Sequence, residues 1–154
     1  MKRLDQYDRQ ILKELQQDAH INHQELADRV SLSKTACWRR VQKLEQNGLI
    51  RSYVALLNPS NLGLNVMAYV QVSMLNHDVK TLETFNTFIE SSPFVMECCA
   101  ITGSYDYMLK VVASDTQELE QFLMRKLLSL GVVKSTNSNF ILGQRKNTTE
   151  LPIS

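Results

Sequence analysis

Apolar positions in the first part of the chain recur at helical spacing. Leu4, Ile11, Leu12 and Leu15 fall near one face, and Asp5 and Asp8 suit the positive end of a helix dipole, so a helix is expected over residues 5–17. After the break "DAHI", Asn22 reads as an N-cap with Glu25 three residues on, and a second helix over 22–30 buries Leu26, Ala27 and Val30. "SLS" is a tight turn. Ser33 caps a third helix over 34–47, and Gly48 supplies its left-handed end. "LIRSYVALL" (49–57) is apolar and β-branched enough to be a strand.

"NPSNLG" (58–63) collects Pro, Gly, Asn and Ser and marks a boundary, beyond which the rhythm changes. "NVMAYVQVSML" (65–75) reads as a buried strand. "VKTLETFNTFIESS" (79–92) is an amphipathic helix turning Leu82, Phe85 and Ile89 inward, and Pro93 ends it. "FVMECCAI" and "YDYMLKVVA" read as strands joined by a two-residue Gly-Ser hairpin turn. "DTQELEQFLMRKLLSLG" is a second amphipathic helix with Leu119, Phe122, Leu123, Leu127 and Leu130 inward, leaving Met124 and Leu128 off that face. "VVKSTNSNFIL" is the last strand. The order β-α-β-β-α-β is that of a ferredoxin-like unit. The fold class is therefore α+β: a winged helix-turn-helix over 1–57, then a ferredoxin-like domain over 58–154.

Charge sharpens this division. The net charge of +1 conceals ten Lys/Arg against seven Asp/Glu in residues 1–57, and seven against nine in the rest. Five of the basic residues lie between Lys34 and Arg51, with Glu45 the sole acid there. A local cationic cluster on a nearly neutral chain points to an anionic partner, nucleic acid first; a solvated helix face is the plain alternative.

On a helical wheel, Val41 and Leu44 lie within about 40° of Cys37 and form the packed face. Thr35, Arg39, Gln42 and Lys43 lie opposite, flanked by Trp38 and Arg40. Three short helices with a tight turn before the third place that helix in the major groove of DNA. Ser33 and Thr35 can donate to phosphates or base edges. Arg39 can pair with guanine, Lys34, Arg40 and Lys43 can neutralise phosphates, and Trp38 can pack on sugar or backbone. The competing readings are that Trp38 anchors packing and that Arg40 pairs with Glu45 or Asp28.

"TGSYDYML" (102–109) is a second constellation. Gly103 and Ser104 form the expected turn, and alternation then sets Asp106 among apolar neighbours. A free α-amino acid needs a carboxylate for its ammonium and N–H or hydroxyl donors for its carboxylate. Asp106 could take the first, and Thr102, Ser104 and the backbone of Gly103–Tyr105 the second, with Met96, Met108 or Tyr105 as apolar wall. An ordinary hairpin with a polar tip is the other reading of the same residues.

"LDQYDRQILKELQQDAHINHQELADRVSLS", "CWRRVQKLEQNGLIRSYVALLNPSNLGL" and "MECCAITGSYDYMLKV" together resemble the Lrp/AsnC family of transcription regulators of bacteria and archaea over nearly the whole chain. The resemblance implies double-stranded DNA as a partner through the third helix. It implies homodimers built through the ferredoxin-like domains, joined into tetramers or octamers, and regulation by a free amino acid at the 102–106 loop. It also implies that Thr148 and Thr149 of "KNTTELP" complete the effector pocket from a neighbouring chain. An architectural DNA-binding protein without an effector keeps the first half of this reading and drops the second.

Other classes find little support. Cys98 and Cys99 are neighbours on a strand and point to opposite faces, which favours a structural role over a redox pair. His20, His23 and His77 are scattered without metal-ligand spacing, so no metal and no cofactor is expected. No base–nucleophile pair, P-loop or GxGxxG appears, so no catalytic residue is assigned and an enzyme is not expected. No run reaches a membrane-spanning length, and the N-terminus lacks a signal-peptide core. Three cysteines without CxxC fit a reducing compartment, and DNA binding places the chain in the cytoplasm, on the nucleoid.

Overall fold

The computed structural model describes residues 4–153. They form two compact units, one running up to Leu56 and including Lys146 onward, the other Leu57–Arg145.

The first unit holds α1 (Gln6–Gln17), α2 (His23–Arg29) and α3 (Lys34–Gln46). Each begins on a side-chain cap. The Asp5 carboxylate accepts from the Asp8 amide, the Asn22 side chain from the amides of Gln24 and Glu25, and Ser33 Oγ from that of Ala36. The Glu25 carboxylate reaches back to Asn22, but to its side-chain amide at 3.3 Å rather than its backbone. α2 and α3 end alike. The amides of Ser31 and Leu32 return to Asp28 and Ala27, and those of Gly48 and Leu49 to Glu45 and Leu44. This geometry needs a left-handed residue, supplied by Gly48 at φ +70° and by Ser31 at φ +55°. The Ser31 turn sets α2 against α3 over a core of Ile11, Leu12, Leu26, Ala27, Val30, Cys37, Val41 and Leu44.

Two expectations for this unit are corrected. The strand expected at 49–57 does not form: among the described residues nothing pairs with it, because a strand exists only where a neighbour takes its backbone groups. Tyr53, Val54, Leu56 and Leu57 are left exposed. Residues from Lys146 onward, expected with the second domain, cluster with the first instead, because the tail hydrogen-bonds to α1 and Ile153 packs on this core.

The second unit carries β1 (Val66–Met74), α4 (Val79–Ser91), β2 (Val95–Ala100), β3 (Tyr107–Ala113), α5 (Thr116–Gln121) and β4 (Val133–Phe140). The sheet order is β2-β3-β1-β4, with every neighbouring pair antiparallel. That is the ferredoxin-like arrangement. Alternate β1 residues Ala68, Val70, Val72 and Met74 meet Leu109, Val111, Phe85, Leu119, Phe122 and Leu127 in one core.

α5 does not continue as a plain α-helix. Residues Phe122–Leu127 widen into a π turn, followed by a tight turn at Leu128–Leu130. Phe122 and Leu127 are five residues apart, about 140° on an α-helix, yet both are fully buried. The wide turn puts them on one face. It also brings Leu128, expected off that face, into contact with the core, whereas Met124 stays exposed. The link between β2 and β3 is longer than the expected two-residue turn. Ala100 pairs with Tyr107, the Ile101 amide donates to the Asp106 carbonyl at 2.9 Å, and residues 102–105 form the loop. Cys98 and Cys99 are free and exposed on the edge strand β2, while Cys37 is buried. Among the described residues no helix is long and apolar enough to cross a membrane.

Candidate nucleic-acid interface and ligand loop

α3 turns Cys37, Val41 and Leu44 into the core and leaves Lys34, Thr35, Arg39, Gln42 and Lys43 exposed. Among the described residues, no acid forms an ion pair with Lys34, Arg39 or Lys43. Ser33 lies just ahead of them, its hydroxyl oxygen engaged as the cap of the helix. The result is a cationic strip along the outer face of a capped helix, with the helix N-terminus adding its own partial positive charge.

Arg40 is placed otherwise. One guanidinium nitrogen lies 2.6 Å from an Asp5 oxygen and 2.7 Å from an Asp8 oxygen, and the group sits 5.3 Å over the Tyr7 ring. The Asp8 amide donating to Asp5, followed by the Arg40 guanidinium, holds the Asp5 carboxyl below the usual carboxylate range. The same carboxylates make Arg40 harder to deprotonate. A cation already matched by two acids offers less to a phosphate than its unpaired neighbours on α3, and in the structure Arg40, expected to neutralise a phosphate, joins α3 to α1. The alternative partners also differ from expectation. Glu45 accepts from the Tyr53 hydroxyl at 2.9 Å, and Asp28 from Gln24 at 3.0 Å. Burial and then the bond to Glu45 push the Tyr53 hydroxyl up to about 12.

Trp38 combines both readings offered for it. Its ring lies 4.3 Å from that of His23 on α2, tilted by 41°, and it remains 38% exposed. One side of the indole braces the helix pair and the other meets solvent.

In the second unit Thr102, Gly103 and Ser104 are exposed at the loop tip, with Tyr105 and Asp106 half-buried. Gly103 has φ +118°, a conformation that a side chain would strain. Asp106 is anchored at four points. Its amide donates to the Val72 carbonyl and its carbonyl accepts from Ile101. Its carboxylate accepts from the Met74 amide at 2.7 Å and lies 2.9 Å from His77 Nε2. The Met74 amide first, and His77 second, lower the Asp106 pKa. Asp106, expected to hold a ligand ammonium, also pins the loop to the end of β1, next to the register shift at Ser73/Met74. Thr148 and Thr149 are exposed in the tail that packs with α1, and Thr148 Oγ1 accepts from the Glu150 amide. The structure thus gathers 102–106 into one loop and assigns the two threonines to the other unit.

Sequence reading missed Asp5 and Asp8 as partners of Arg40, His77 as partner of Asp106, and the contact of Gln16 with Leu151. Each joins residues at least 29 positions apart. Only the His23–Trp38 stack left a trace, since both belong to helices already read as adjacent.

Known proteins share this arrangement. Residues 4–51 match the winged helix-turn-helix DNA-binding family, and residues 67–151 the Lrp/AsnC ligand binding domain. The chain is 36% identical over 152 residues to the leucine-responsive regulatory protein of Escherichia coli, covering 99% of this chain and 93% of that protein. It is 35% identical over 150 residues to the DNA-binding transcriptional activator DecR of the same organism, covering 97% and 99%. Among solved structures, the regulator NMB0573 of Neisseria meningitidis in complex with L-Met superposes with a TM-score of 0.94 at 36% identity, over 97% of both chains. E. coli AsnC superposes with a TM-score of 0.88 at 26% identity, over 97% and 99%. With a winged helix-turn-helix bearing a cationic third helix in one unit and a ligand-binding fold in the other, the chain belongs to the Lrp/AsnC family of DNA-binding transcription regulators.

Proposed function

We propose that the protein reads specific duplex sequences with α3 and that a free amino acid, bound at the 102–106 loop, alters its assembly and its DNA affinity. The observation that carries the DNA half is the strip of Lys34, Arg39 and Lys43, exposed and without ion pairs among the described residues. In this reading Arg39 reaches a base edge, Ser33, Lys34, Thr35 and Lys43 meet phosphates, and the solvent side of Trp38 lies along the backbone. Arg40 sets the angle of α3 through Asp5 and Asp8.

Dimers formed through the second unit, and further association into tetramers or octamers, would set two recognition helices about one DNA turn or a multiple apart. Association between copies is supported by the extended segment leading from the first unit into the second, which has no strand partner among the described residues and exposes Tyr53 at 46%, Val54 at 70%, Leu56 at 73% and Leu57 at 69%. The edge strand β2 is also exposed along most of its length.

The amino-acid half is supported by the L-Met complex of the Neisseria regulator and by a loop whose donors (Thr102, Ser104 and backbone amides beside Gly103) suit a carboxylate. Asp106 serves this loop by fixing its shape, with Tyr105 alongside. Thr148 and Thr149 join the pocket only as contributions of a neighbouring copy. An effector changes DNA binding only through a preference for one assembly state.

The test is calorimetric titration of the twenty amino acids, with sedimentation and DNA retention measured for each binder. One or more should bind with a shift in assembly. If none binds, and Asp106→Ala assembles and binds DNA as the parent does, the protein is an architectural DNA-binding member of the family.

A further inference from the structure

We propose that residues 150–153 are a second tether for the DNA-binding unit, docking as an extended peptide on the C-terminal end of α1. The chain passes between the two units twice, at Leu56/Leu57 and at Arg145/Lys146. The second passage leads straight into this contact. The Gln16 side-chain amide engages one residue's main chain on both sides: Leu151 N–H donates to Gln16 Oε1 at 2.6 Å, and Gln16 Nε2 donates to the Leu151 carbonyl at 3.2 Å. This donor–acceptor pair is what a neighbouring strand would offer, so it recognises extended backbone rather than a particular side chain. Beside it Gln17 Nε2 donates to the Glu150 carboxylate at 3.3 Å, and Ile153 packs on the core of the unit. Thr148 Oγ1 takes the Glu150 amide at 3.1 Å and shapes the approach.

What the tail grips is the whole three-helix body. Glu14, two residues before Gln16, pairs with Arg29 of α2 at 2.8 Å, and the other end of α1 holds Arg40 of α3 through Asp5 and Asp8. A restraint applied at Gln16 therefore reaches the recognition helix through side chains that already fix it. A unit held by two connections has less orientational freedom to lose when two recognition helices must meet a pair of half-sites at once. The tether needs no effector; it rests on α3 as the DNA-reading helix and not on the amino-acid site.

Two full-length variants test it from opposite sides. Gln16→Leu removes the side-chain pair and keeps a good helix former; Leu151→Pro removes the main-chain donor and leaves α1 untouched. Each is examined for trypsin cleavage at Arg145 and Lys146, which lead into the tail, and for affinity toward a two-half-site duplex selected from a random pool by the parent protein. Far-UV circular dichroism confirms that each is folded. Both variants should be cut about tenfold faster and bind the selected duplex about tenfold more weakly. Affinity for a duplex with a single half-site should be unchanged. Cleavage at the parent's rate in both variants would show that the tail is not held by this contact. Faster cleavage with unchanged affinity would show that it is held but does not tether. Either result overturns the proposal.

Discussion

Two neighbouring arginines on α3 are predicted to fail in different ways when replaced. Arg39 is exposed and has no internal acid partner among the described residues, whereas Arg40 is matched by Asp5 and Asp8 and lies over Tyr7. Removing a side chain that contacts a phosphate lowers the slope of log K against log salt by about 0.9 per contact, so Lys43→Ala should lower it by about 1.8 in a dimer bound through two copies. Arg39→Ala should weaken specific over non-specific binding if it reads a base edge. Neither should alter folding, since both side chains project into solvent. Arg40→Ala removes two ion pairs, worth about 0.2–1 kcal/mol each at this exposure, and a cation–ring contact worth about 0.5–1 kcal/mol. It also leaves Asp8, whose side chain is only 20% exposed, without its counter-ion. The sum is about 1–3 kcal/mol, or about 1–3 M in urea midpoint at an m-value of about 1 kcal/mol/M for a unit of this size. The chain has a single tryptophan, Trp38, which lies in this unit, so its fluorescence in urea follows the DNA-binding half alone. Arg40→Ala with an unshifted urea midpoint and a salt slope reduced as in Lys43→Ala would refute the division of labour.

Three further outcomes are expected. Asp106 is held below its ordinary value of 3.8, so its stabilising effect is complete above that value and is lost as pH falls through the lowered one. Asp106→Asn should therefore be less stable than the parent by about 1 kcal/mol at neutral pH, with the gap closing in acid melts; a gap that widens in acid would reverse the assignment. Phe122 is fully buried against Phe88 and Phe94, and Phe122→Ala should cost about 3–5 kcal/mol, read as lost hydrogen-exchange protection of β1 and β3 amides. Protection retained there would mean that the π turn is not central to the core. Asn22 caps two amides of α2, and Asn22→Ala should lower the stability of the first unit by about 1 kcal/mol by Trp38 fluorescence, while Asn22→Asp should retain most of it.

Local chemistry made most of the elements legible. Asn22, Ser33 and Gly48 mark helix ends because capping involves groups within a few residues of one another. The alternation from Val66 to Met74 marks a strand for the same reason. The candidate DNA face was readable too, since helical periodicity alone puts Cys37, Val41 and Leu44 on the side opposite Arg39 and Lys43. The ligand loop was less so. Asp106 stood out as a carboxylate among apolar neighbours, but the Met74 amide and His77 that claim it come from another strand and another loop.

By itself, then, the sequence determined the order of elements, the burial of each helix face and the concentration of positive charge on α3. Periodicity and caps are short-range properties of the chain. Tertiary structure alone decided which charges are neutralised, where the tail docks, and that 49–57 finds no partner strand among the described residues. Arg39 and Arg40 are chemically identical neighbours, and only a contact with residues more than thirty positions earlier pairs one with two acids and leaves the other exposed. Pairings over such separations depend on how helices pack, and packing is fixed by the whole core at once rather than by the spacing of any few residues.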